Sequence, residues 1–337
     1  MASRSAIGKP LMALMMVAIF LAGTAVGYYY ASLTIKPTGY EPVRIGYLTG
    51  DIHQSPFFIA YAQEWYQEEG IAPIKKEYIN GPTQMNAFVA GELDAGYVGC
   101  SPAMITASQG AELVILASSN KEGSAIVAKP GINSVEELNN TKVGTPGIGT
   151  IQDIMLGMVE EEFNIKVTHV SYSVTSLPLA LDSGDIDAFI AWEIFCADAV
   201  VNGVGNVIYT SHDILPDHQC CVFWVSQKLY NEKPDVVKSL VRVHVRALKY
   251  IQENSTGAQQ SIATITARTL AVVQNAWPRM AWGYHVNTDS MVTFANAMIT
   301  QGKMTLPEGV PDANTFVMGI VNENILDTVL GEMGISQ

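Results

Sequence analysis

The chain has 337 residues, of which 48% are hydrophobic and 15% are charged, and its formal net charge is −13. This length and composition are enough for two ordinary domains with a buried core, and they exclude a disordered chain. Residues 1–36 carry a charge of +3 and the remainder carries −16. So acidic a body argues against nucleic acid as a partner, because phosphate backbones need a basic surface.

The N-terminus carries a membrane signal. Leu11–Ala31 is a run of 21 residues without a charge, long enough to span a hydrocarbon core of about 30 Å as a helix. Arg4 and Lys9 precede the run, which predicts that the N-terminus stays in the cytoplasm and that the body lies outside. The run is longer than the apolar core of a cleaved signal peptide, roughly 7–15 residues. We therefore expect residues 1–36 to be an uncleaved signal anchor and tether, with cleavage as the alternative.

From residue 43 onward, strand patterns alternate with helix patterns. Ser55-Pro56 and Ser101-Pro102 are typical helix starts, because serine caps a helix and proline suits its first turn. Strands separated by helices indicate parallel pairing with right-handed crossovers. The predicted strands of this first unit are 43–49, 74–80, 93–99 and 113–119, and its predicted helices are 55–69, 83–91 and one that starts at 101.

A second unit of the same kind follows. Thr150 is the predicted N-cap of a helix that runs to Phe163, and residues 222–225 return as a further apolar strand before the C-terminal helices. The predicted strands of the second unit are 125–131, 142–147, 167–173 and 186–192, and its other predicted helices are 134–140 and 177–184.

The two units resemble each other at one point. Residues 87–99 and 179–192 both run from an apolar helix through Gly, an acid, an aliphatic residue and Asp-Ala into an apolar strand, with an offset of 93 residues. The offset is too long for a solenoid repeat and fits two similar lobes. The alternative is that this pattern is only a common turn between a helix and a strand.

The sequence therefore predicts an α/β protein with two lobes that close on each other like a clamp. We place lobe one at 43–121 plus 222–337 and lobe two at 122–221. The chain then crosses twice between the lobes, near 120–123 and 219–222, and two crossings make a hinge beside a cleft.

Small residues precede helix starts in three turns, at Ser55-Pro56, Gly99–Pro102 and Gly147–Thr150. Helix N-termini beyond the carboxyl ends of strands favour anions. If all three turns face the cleft, they suit a sulfonate, carboxylate, nitrate or phosphate. The turn at Gly147–Thr150 lacks the spacing and the lysine of a nucleotide loop, and no nucleophile elbow indicates an enzyme.

The four cysteines, Cys100, Cys196, Cys220 and Cys221, include no CxxC pair. We therefore expect no metal site. Two alternatives stay open. Cys196 bonds to one of the adjacent cysteines if the compartment is oxidising, or His218 joins Cys220 and Cys221 in holding a soft metal.

The body resembles the substrate-binding proteins of ABC importers in the nitrate, sulfonate, taurine and thiamine-precursor group. The matching stretches cover roughly 44–226 in order, and this resemblance implies the type II periplasmic-binding-protein fold. The stretches are 56–60, 70–71, 80–82, 87–96, 99–103, 135–138, 142–146, 149–150, 184–188 and 191–193.

The resemblance also implies the site. Trp192 and Glu193 match the group's Trp-acid pair, in which the ring packs on the ligand and the acid meets a cationic group. Ile194 stands where the group has proline, which leaves the aim of Glu193 open. Trp192 as a core residue and His53 as a surface-loop residue are the alternatives. The implied ligand contacts are His53, Gln54, Gly81, Cys100, Ser101, Gly149, Thr150, Trp192 and Glu193.

These implications predict a monomeric, membrane-tethered, extracellular solute-binding protein without catalysis or cofactor. Its partners would be a small polar, anionic ligand such as a sulfonate, taurine or nitrate, and an ABC permease with its ATPase. A thiamine-pyrimidine precursor is the alternative ligand. The alternative functions are an enzyme related to thiamine-pyrimidine synthase, to which His53 and Cys220-Cys221 point, and a tethered sensor or scavenger.

Overall fold

The computed structural model describes residues 39–335. The predicted signal anchor and tether lie outside this range. Within it, no helix combines the length and the apolar character needed to cross a membrane.

The first of two sheets has six strands in the spatial order β11-β4-β10-β3-β1-β2. It draws on the two ends of the described chain and skips the middle. Its strands are β1 Glu41–Leu48, β2 Ile71–Tyr78, β3 Ala95–Gly99, β4 Leu113–Glu122, β10 Gln219–Ser226 and β11 Met280–Ala281.

The second sheet has five strands in the order β7-β6-β8-β5-β9. The middle of the chain supplies all of them. They are β5 Ser124–Ala128, β6 Lys142–Thr145, β7 Thr168–Ser171, β8 Ala188–Trp192 and β9 Asn206–Thr210.

Helices cover both sheets, so the predicted α/β class is confirmed. The predicted single helix over 55–69 is two helices, because Glu64 adopts a left-handed conformation between them. The helices are α1 Ser55–Ala62, α2 Trp65–Glu68, α3 Gly81–Val89, α4 Cys100–Ser108, α5 Ile151–Phe163, α6 Leu177–Ser183, α7 Phe195–Val201, α8 Ser211–Ile214, α9 Gln227–Glu232, α10 Pro234–Glu253, α11 Ser255–Ile265, α12 Leu270–Ala276, α13 Thr288–Thr300, α14 Ala313–Ile320 and α15 Asn324–Glu332. Short 3-10 helices lie at Ile52–Gln54, Glu136–Leu138, Val174–Ser176 and Trp277–Arg279.

The expectation of parallel pairing holds for only part of each sheet. β1 pairs in parallel with β2 and β3, and β6 with β7 and β8. β10 lies between β3 and β4 and is antiparallel to both, and β5 is antiparallel to β8 and β9. The reason is that β10 and β5 are the strands that enter each sheet from the other one. They therefore run away from the junction, whereas β3 and β4 run toward it.

Helix α10 covers the first sheet with one apolar face. Its buried residues include many pairs that are three or four positions apart, which is the spacing of one helical face. Burying each large aliphatic side chain contributes about 1.5–3 kcal/mol. The buried positions are Val237, Leu240, Val241, Val243, His244, Val245, Ala247, Leu248 and Ile251.

His244 is the polar exception on that face and is fully buried. Its Nε2 donates to the carbonyl oxygen of Ser118 at 2.9 Å, which leaves Nδ1 to accept from the hydroxyl of Tyr97 at 3.1 Å. The ring also stacks on Phe223 with 5.2 Å between centroids. Burial lowers the pKa of His244 from 6.5 to about 4, because the interior disfavours the charged ring.

His244 should make the protein less stable in acid. Its pKa is lower in the folded state, so its stabilising effect is complete above pH 6.5 and is lost as the pH falls toward 4. That difference corresponds to a loss of about 3 kcal/mol at pH 4. Between pH 7 and pH 4, the free energy of unfolding of the parent should fall by about 3 kcal/mol more than that of His244→Gln. Urea denaturation at the two pH values measures both losses. An identical pH dependence in the two proteins would contradict the assignment.

Candidate functional site at the junction of the two sheets

The first crossing between the sheets is a single residue, Gly123, between the end of β4 and the start of β5. Its carbonyl oxygen accepts two hydrogen bonds. One comes from Nε2 of His53 at 2.7 Å, and the other comes from the backbone N–H of Glu193 at 2.8 Å. One carbonyl group therefore joins a loop that follows β1 to the end of β8 in the second sheet.

Only glycine fits at position 123. Its φ is +90°, in the left-handed region, and an added Cβ would lie 2.4 Å from Nε2 of His53 and 2.8 Å from Cγ of Met280. Any side chain at position 123 would therefore overlap the imidazole ring of His53.

A cavity lies beside this crossing and takes its lining from both sheets. Its volume is about 280 Å³ including its mouth, and the enclosed part has room for little more than one water molecule. The two sides are thus close together, and a solute enters only if they separate. The lining residues are Leu48, Asp51, His53, Gly81, Gly99, Pro102, Thr150, Ile151, Gln152, Trp192, Cys220 and Cys221.

The floor of the cavity on the first-sheet side is a buried polar cluster. Nδ1 of His53 lies 3.3 Å from Sγ of Cys220, 4.0 Å from Sγ of Cys221 and 3.5 Å from Oδ1 of Asp51. The Asp51 carboxylate also accepts the backbone N–H of His53 at 3.0 Å and Nε2 of Gln54 at 3.0 Å. These bonds fix the loop on which His53 stands.

Burial and mutual charge set the protonation of the cluster. Burial disfavours the His53 cation, but Cys220 and Asp51 beside it outweigh burial and raise its pKa to about 9. Burial also disfavours the Cys220 thiolate, yet a hydrogen bond from Cys221 and the charge of His53 hold the pKa of Cys220 well below its usual value. Burial raises the pKa of Asp51 to about 6. Each of Cys220 and His53 therefore favours the charged form of the other, thiolate beside imidazolium.

The opposite wall comes from the second sheet and its first helix. Thr150 caps α5, as its sequence predicts: its Oγ1 accepts the backbone N–H of Asp153 at 3.3 Å and donates to the carbonyl oxygen of Gly147 at 2.8 Å. Gln152 donates to Oγ of Ser124 at 2.8 Å. The indole N–H of Trp192 has no hydrogen-bond partner among residues 39–335 and is buried.

Four of the residues that the resemblance implies as contacts line the cavity: His53, Gly81, Thr150 and Trp192. His53 is fully buried, so its alternative reading as a surface-loop residue is wrong. Trp192 is both a strand residue and a cavity residue, since β8 ends at this position.

The other five residues lie behind the lining. Gln54 accepts the backbone N–H of Leu48 at 2.9 Å, Cys100 donates to the carbonyl oxygen of Gln219 at 3.2 Å, and Gly149 donates to Asp153 at 2.9 Å. Ser101 is buried, and its hydroxyl has no hydrogen-bond partner within the described part of the chain. These residues support the cavity wall.

Glu193 is not among the residues that line the cavity. It is fully buried, and one carboxylate oxygen pairs with Nε of Arg279 while the other accepts the backbone N–H of Ala197 at 3.0 Å. Ile194, in place of the group's proline, leads directly into α7, and the carboxylate of Glu193 folds back onto the first turn of that helix. Glu193 thus has an internal cationic partner in Arg279, and its contact with a cationic group of a ligand stays a prediction.

All four cysteines are buried and free, so the open alternative of a bridge from Cys196 is wrong. Cys196 lies in α7 and donates to the carbonyl oxygen of Ala191 at 3.1 Å. The side chain of His218 lies beside Cys220, and its Nδ1 bonds to the carbonyl oxygen of Leu215 at 2.8 Å. His53 also lies beside Cys220 and Cys221, with its Nδ1 3.3 Å and 4.0 Å from the two sulfur atoms.

Residues 37–267 match the model of the NMT1-like family. The chain belongs to this family. A putative binding protein of Brucella abortus is 26% identical to this NMT1-like protein over 238 residues, which are 68% of this chain and 72% of the relative. The taurine-binding periplasmic protein of Escherichia coli is 27% identical over 207 residues, covering 57% of this chain and 62% of the relative.

A solved structure confirms the expected fold of this NMT1-like protein. The periplasmic nitrate-binding protein NrtA of Synechocystis superimposes with a TM-score of 0.76 at 14% identity, over 87% of this chain and 89% of that one. The two-sheet architecture is therefore the periplasmic-binding-protein fold.

Gly123→Ala should destabilise the protein by more than 1 kcal/mol, roughly, because the new methyl group combines backbone strain with a clash against His53. Gly131→Ala is the matched control, since Gly131 also has a positive φ of +99° but an added Cβ there meets nothing within 4 Å. We expect a clearly larger loss of unfolding free energy for Gly123→Ala in urea denaturation. Equal losses would show that His53 does not occupy the space beside Gly123.

Proposed function

We propose that this chain is the extracellular solute-binding protein of an ABC importer and captures a small polar ligand between two lobes. The observation that carries the proposal is the cavity, whose wall comes from both sheets, between which the chain passes twice in residues 39–335. Lobe one is assigned to 43–121 plus 222–337 and lobe two to 122–221. β10 starts at Gln219, three residues before that boundary.

The proposed mechanism is closure around the ligand. In the open state the lobes separate and a solute reaches His53 and Gly81 on lobe one. The solute then also contacts Thr150 and Trp192 on lobe two, and this second set of contacts favours the closed state by differential affinity. The closed form docks on a permease whose ATPase drives uptake, and the predicted N-terminal anchor keeps the monomer at the membrane.

Charge in the cavity favours a ligand with two unlike ends. Three helices, α3, α4 and α5, begin at the cavity through Gly81, Gly99 and Thr150, and their N-termini favour an anionic group. Asp51 supplies a carboxylate to the same lining, where it suits an amine. An amino-sulfonate has both ends, in keeping with the relative that is named for taurine.

A thiamine-pyrimidine precursor is the second candidate. Trp192 lines the cavity, and a heterocycle can pack on its ring. Asp51 suits the amino group of the pyrimidine. The amino-sulfonate uses the helix N-termini for its anionic group, whereas the pyrimidine precursor does not need them. A panel that contains both kinds of ligand therefore distinguishes the two candidates.

The test is a thermal-shift screen of the full chain in detergent against taurine, alkyl sulfonates, nitrate and thiamine-pyrimidine precursors. A ligand at 100 times its Kd adds about 2.7 kcal/mol of stability, which raises Tm by several degrees. We expect amino-sulfonates to give the largest shift. No shift with any solute, in a sample with a cooperative unfolding transition, would contradict a solute-binding function.

Variants then locate the ligand. Thr150→Ala and Trp192→Ala should each weaken binding of the best ligand by about 1 kcal/mol or more, because each removes a contact from the lobe-two wall. Thr269→Ala is the control for Thr150→Ala. Thr269 caps α12 just as Thr150 caps α5, but Thr269 does not line the cavity. Unchanged affinity in both cavity variants, measured by calorimetry, would mean that the ligand binds elsewhere.

A further inference from the structure

The cluster of His53, Cys220 and Cys221 has the donor atoms of a metal centre. Nδ1 of the histidine and Sγ of each cysteine all lie within 4.8 Å of one another, and all three residues are buried. In a tetrahedral zinc site, bonds of about 2.3 Å to sulfur and about 2.0 Å to nitrogen place sulfur and nitrogen donors about 3.6 Å apart. The observed separations of 3.3 Å and 4.0 Å lie on either side of that value.

A β-bulge is what brings two adjacent cysteines to one histidine. Successive side chains of a regular strand point to opposite faces, so Cys220 and Cys221 would normally diverge. The pairing of β10 with β4 shifts register between Gln219 and Cys221 and again between Cys221 and Val222. Bulges of this kind redirect side chains and are common beside functional sites.

Internal hydrogen bonds hold the bulge. The backbone N–H of Cys221 donates to Oδ1 of Asn120 at 3.1 Å, and its carbonyl oxygen accepts Nε2 of Gln219 at 2.8 Å. The same amide nitrogen of Gln219 also donates to the carbonyl oxygen of Asn120 at 3.0 Å. The two sulfur atoms are therefore positioned before any ion arrives.

The histidine is oriented for ligation as well. Its Nε2 is committed to the carbonyl oxygen of Gly123 at 2.7 Å, which directs Nδ1 toward the two sulfur atoms. A backbone carbonyl that accepts the other ring N–H is the usual outer partner of a metal-bound histidine. Asp51 lies 3.8 Å from Sγ of Cys221, as a second outer carboxylate.

The donor set and the burial select the ion. Two sulfur donors and one imidazole exclude the hard cations Mg²⁺ and Ca²⁺, which prefer oxygen. Two thiolates and a neutral imidazole cancel the charge of a divalent ion, and Asp51 nearby adds a negative charge. A monovalent ion would therefore leave still more uncompensated negative charge in a buried place. Three protein ligands also leave a fourth position of the tetrahedron, and all three line the cavity together with Thr150 and Trp192.

We propose that His53, Cys220 and Cys221 bind a divalent zinc-type ion on the floor of the cavity, with one coordination position open to the interlobe space. The sequence predicts no metal site because the cysteines include no CxxC pair, and the alternative that it leaves open uses His218. His53, 167 positions away from Cys220, is not part of that alternative. The metal site goes beyond solute capture. A ligand screen run with a chelator present tests solute binding without the metal, so either proposal can fail while the other holds.

Cobalt is the spectroscopic probe. The full chain in detergent, reduced and freed of metal with a chelator, is titrated with Co²⁺. We expect one Co²⁺ per chain, visible ligand-field bands of a four-coordinate ion, a near-ultraviolet band from sulfur-to-cobalt charge transfer, and complete displacement by one equivalent of Zn²⁺. Cys220→Ser and Cys221→Ser should each weaken binding at least 100-fold, while Cys196→Ser, which removes a buried cysteine in α7, should bind like the parent.

Absence of the charge-transfer band, or undiminished Co²⁺ binding in both serine variants, would overturn the proposal. X-ray absorption at the zinc edge tests the parent chain without any substitution, in case the variants do not fold. Two sulfur scatterers at about 2.3 Å support the site. A shell of nitrogen and oxygen alone contradicts it.

Discussion

The carbonyl oxygen of Gly123 accepts hydrogen bonds from His53 and from the backbone of Glu193, and the geometry of the site depends on this arrangement. β4 ends one residue before Gly123 and β5 begins one residue after it, so the crossing has almost no slack. Since only glycine leaves room for the imidazole, the crossing and the histidine are fixed together. In the proposed closure, this short segment is the hinge about which the two sheets move.

The bulge in β10 is the second constraint. It turns two adjacent thiols toward the same ring, and the resulting cluster is buried under the opposite wall. His53, Cys220 and Asp51 are buried together, and His53 lies within 4 Å of both of the other residues. Three helix N-termini meet the same cavity. For the proposed ligand, these N-termini suit an anionic end and Asp51 suits a cationic end.

The sequence predicts the helices and strands better than it predicts the order in which the strands lie in each sheet. Alternation of strand and helix patterns, the cap at Thr150 and the small-residue turns follow from local chemistry, and the two-sheet α/β class follows from them. The antiparallel insertion of β10 between β3 and β4 does not, because it depends on where the returning chain enters the sheet. The elements over 195–214 were also missed, since α7, β9 and α8 are only four to seven residues long and lack a clear periodicity.

The same limit applies to the site. His53, Gly81, Thr150 and Trp192 follow from turn chemistry and resemblance, and they line the cavity. Asp51 was missed because it stands in the same loop as His53 without a motif of its own. Glu193 was assigned to the ligand because nothing local reveals Arg279, which is 86 positions away and pairs with it. Long-range partners decide whether a carboxylate is a contact or a buried ion pair, and one sequence does not contain that information.

The most direct test of the central claim is a crystal structure of the chain with the best solute from the ligand screen. The account predicts that the solute lies between the two sheets, in contact with His53 and Gly81 on one side and with Thr150 and Trp192 on the other. A solute bound on the outer surface of either sheet, with the junction at Gly123 unoccupied, would contradict it.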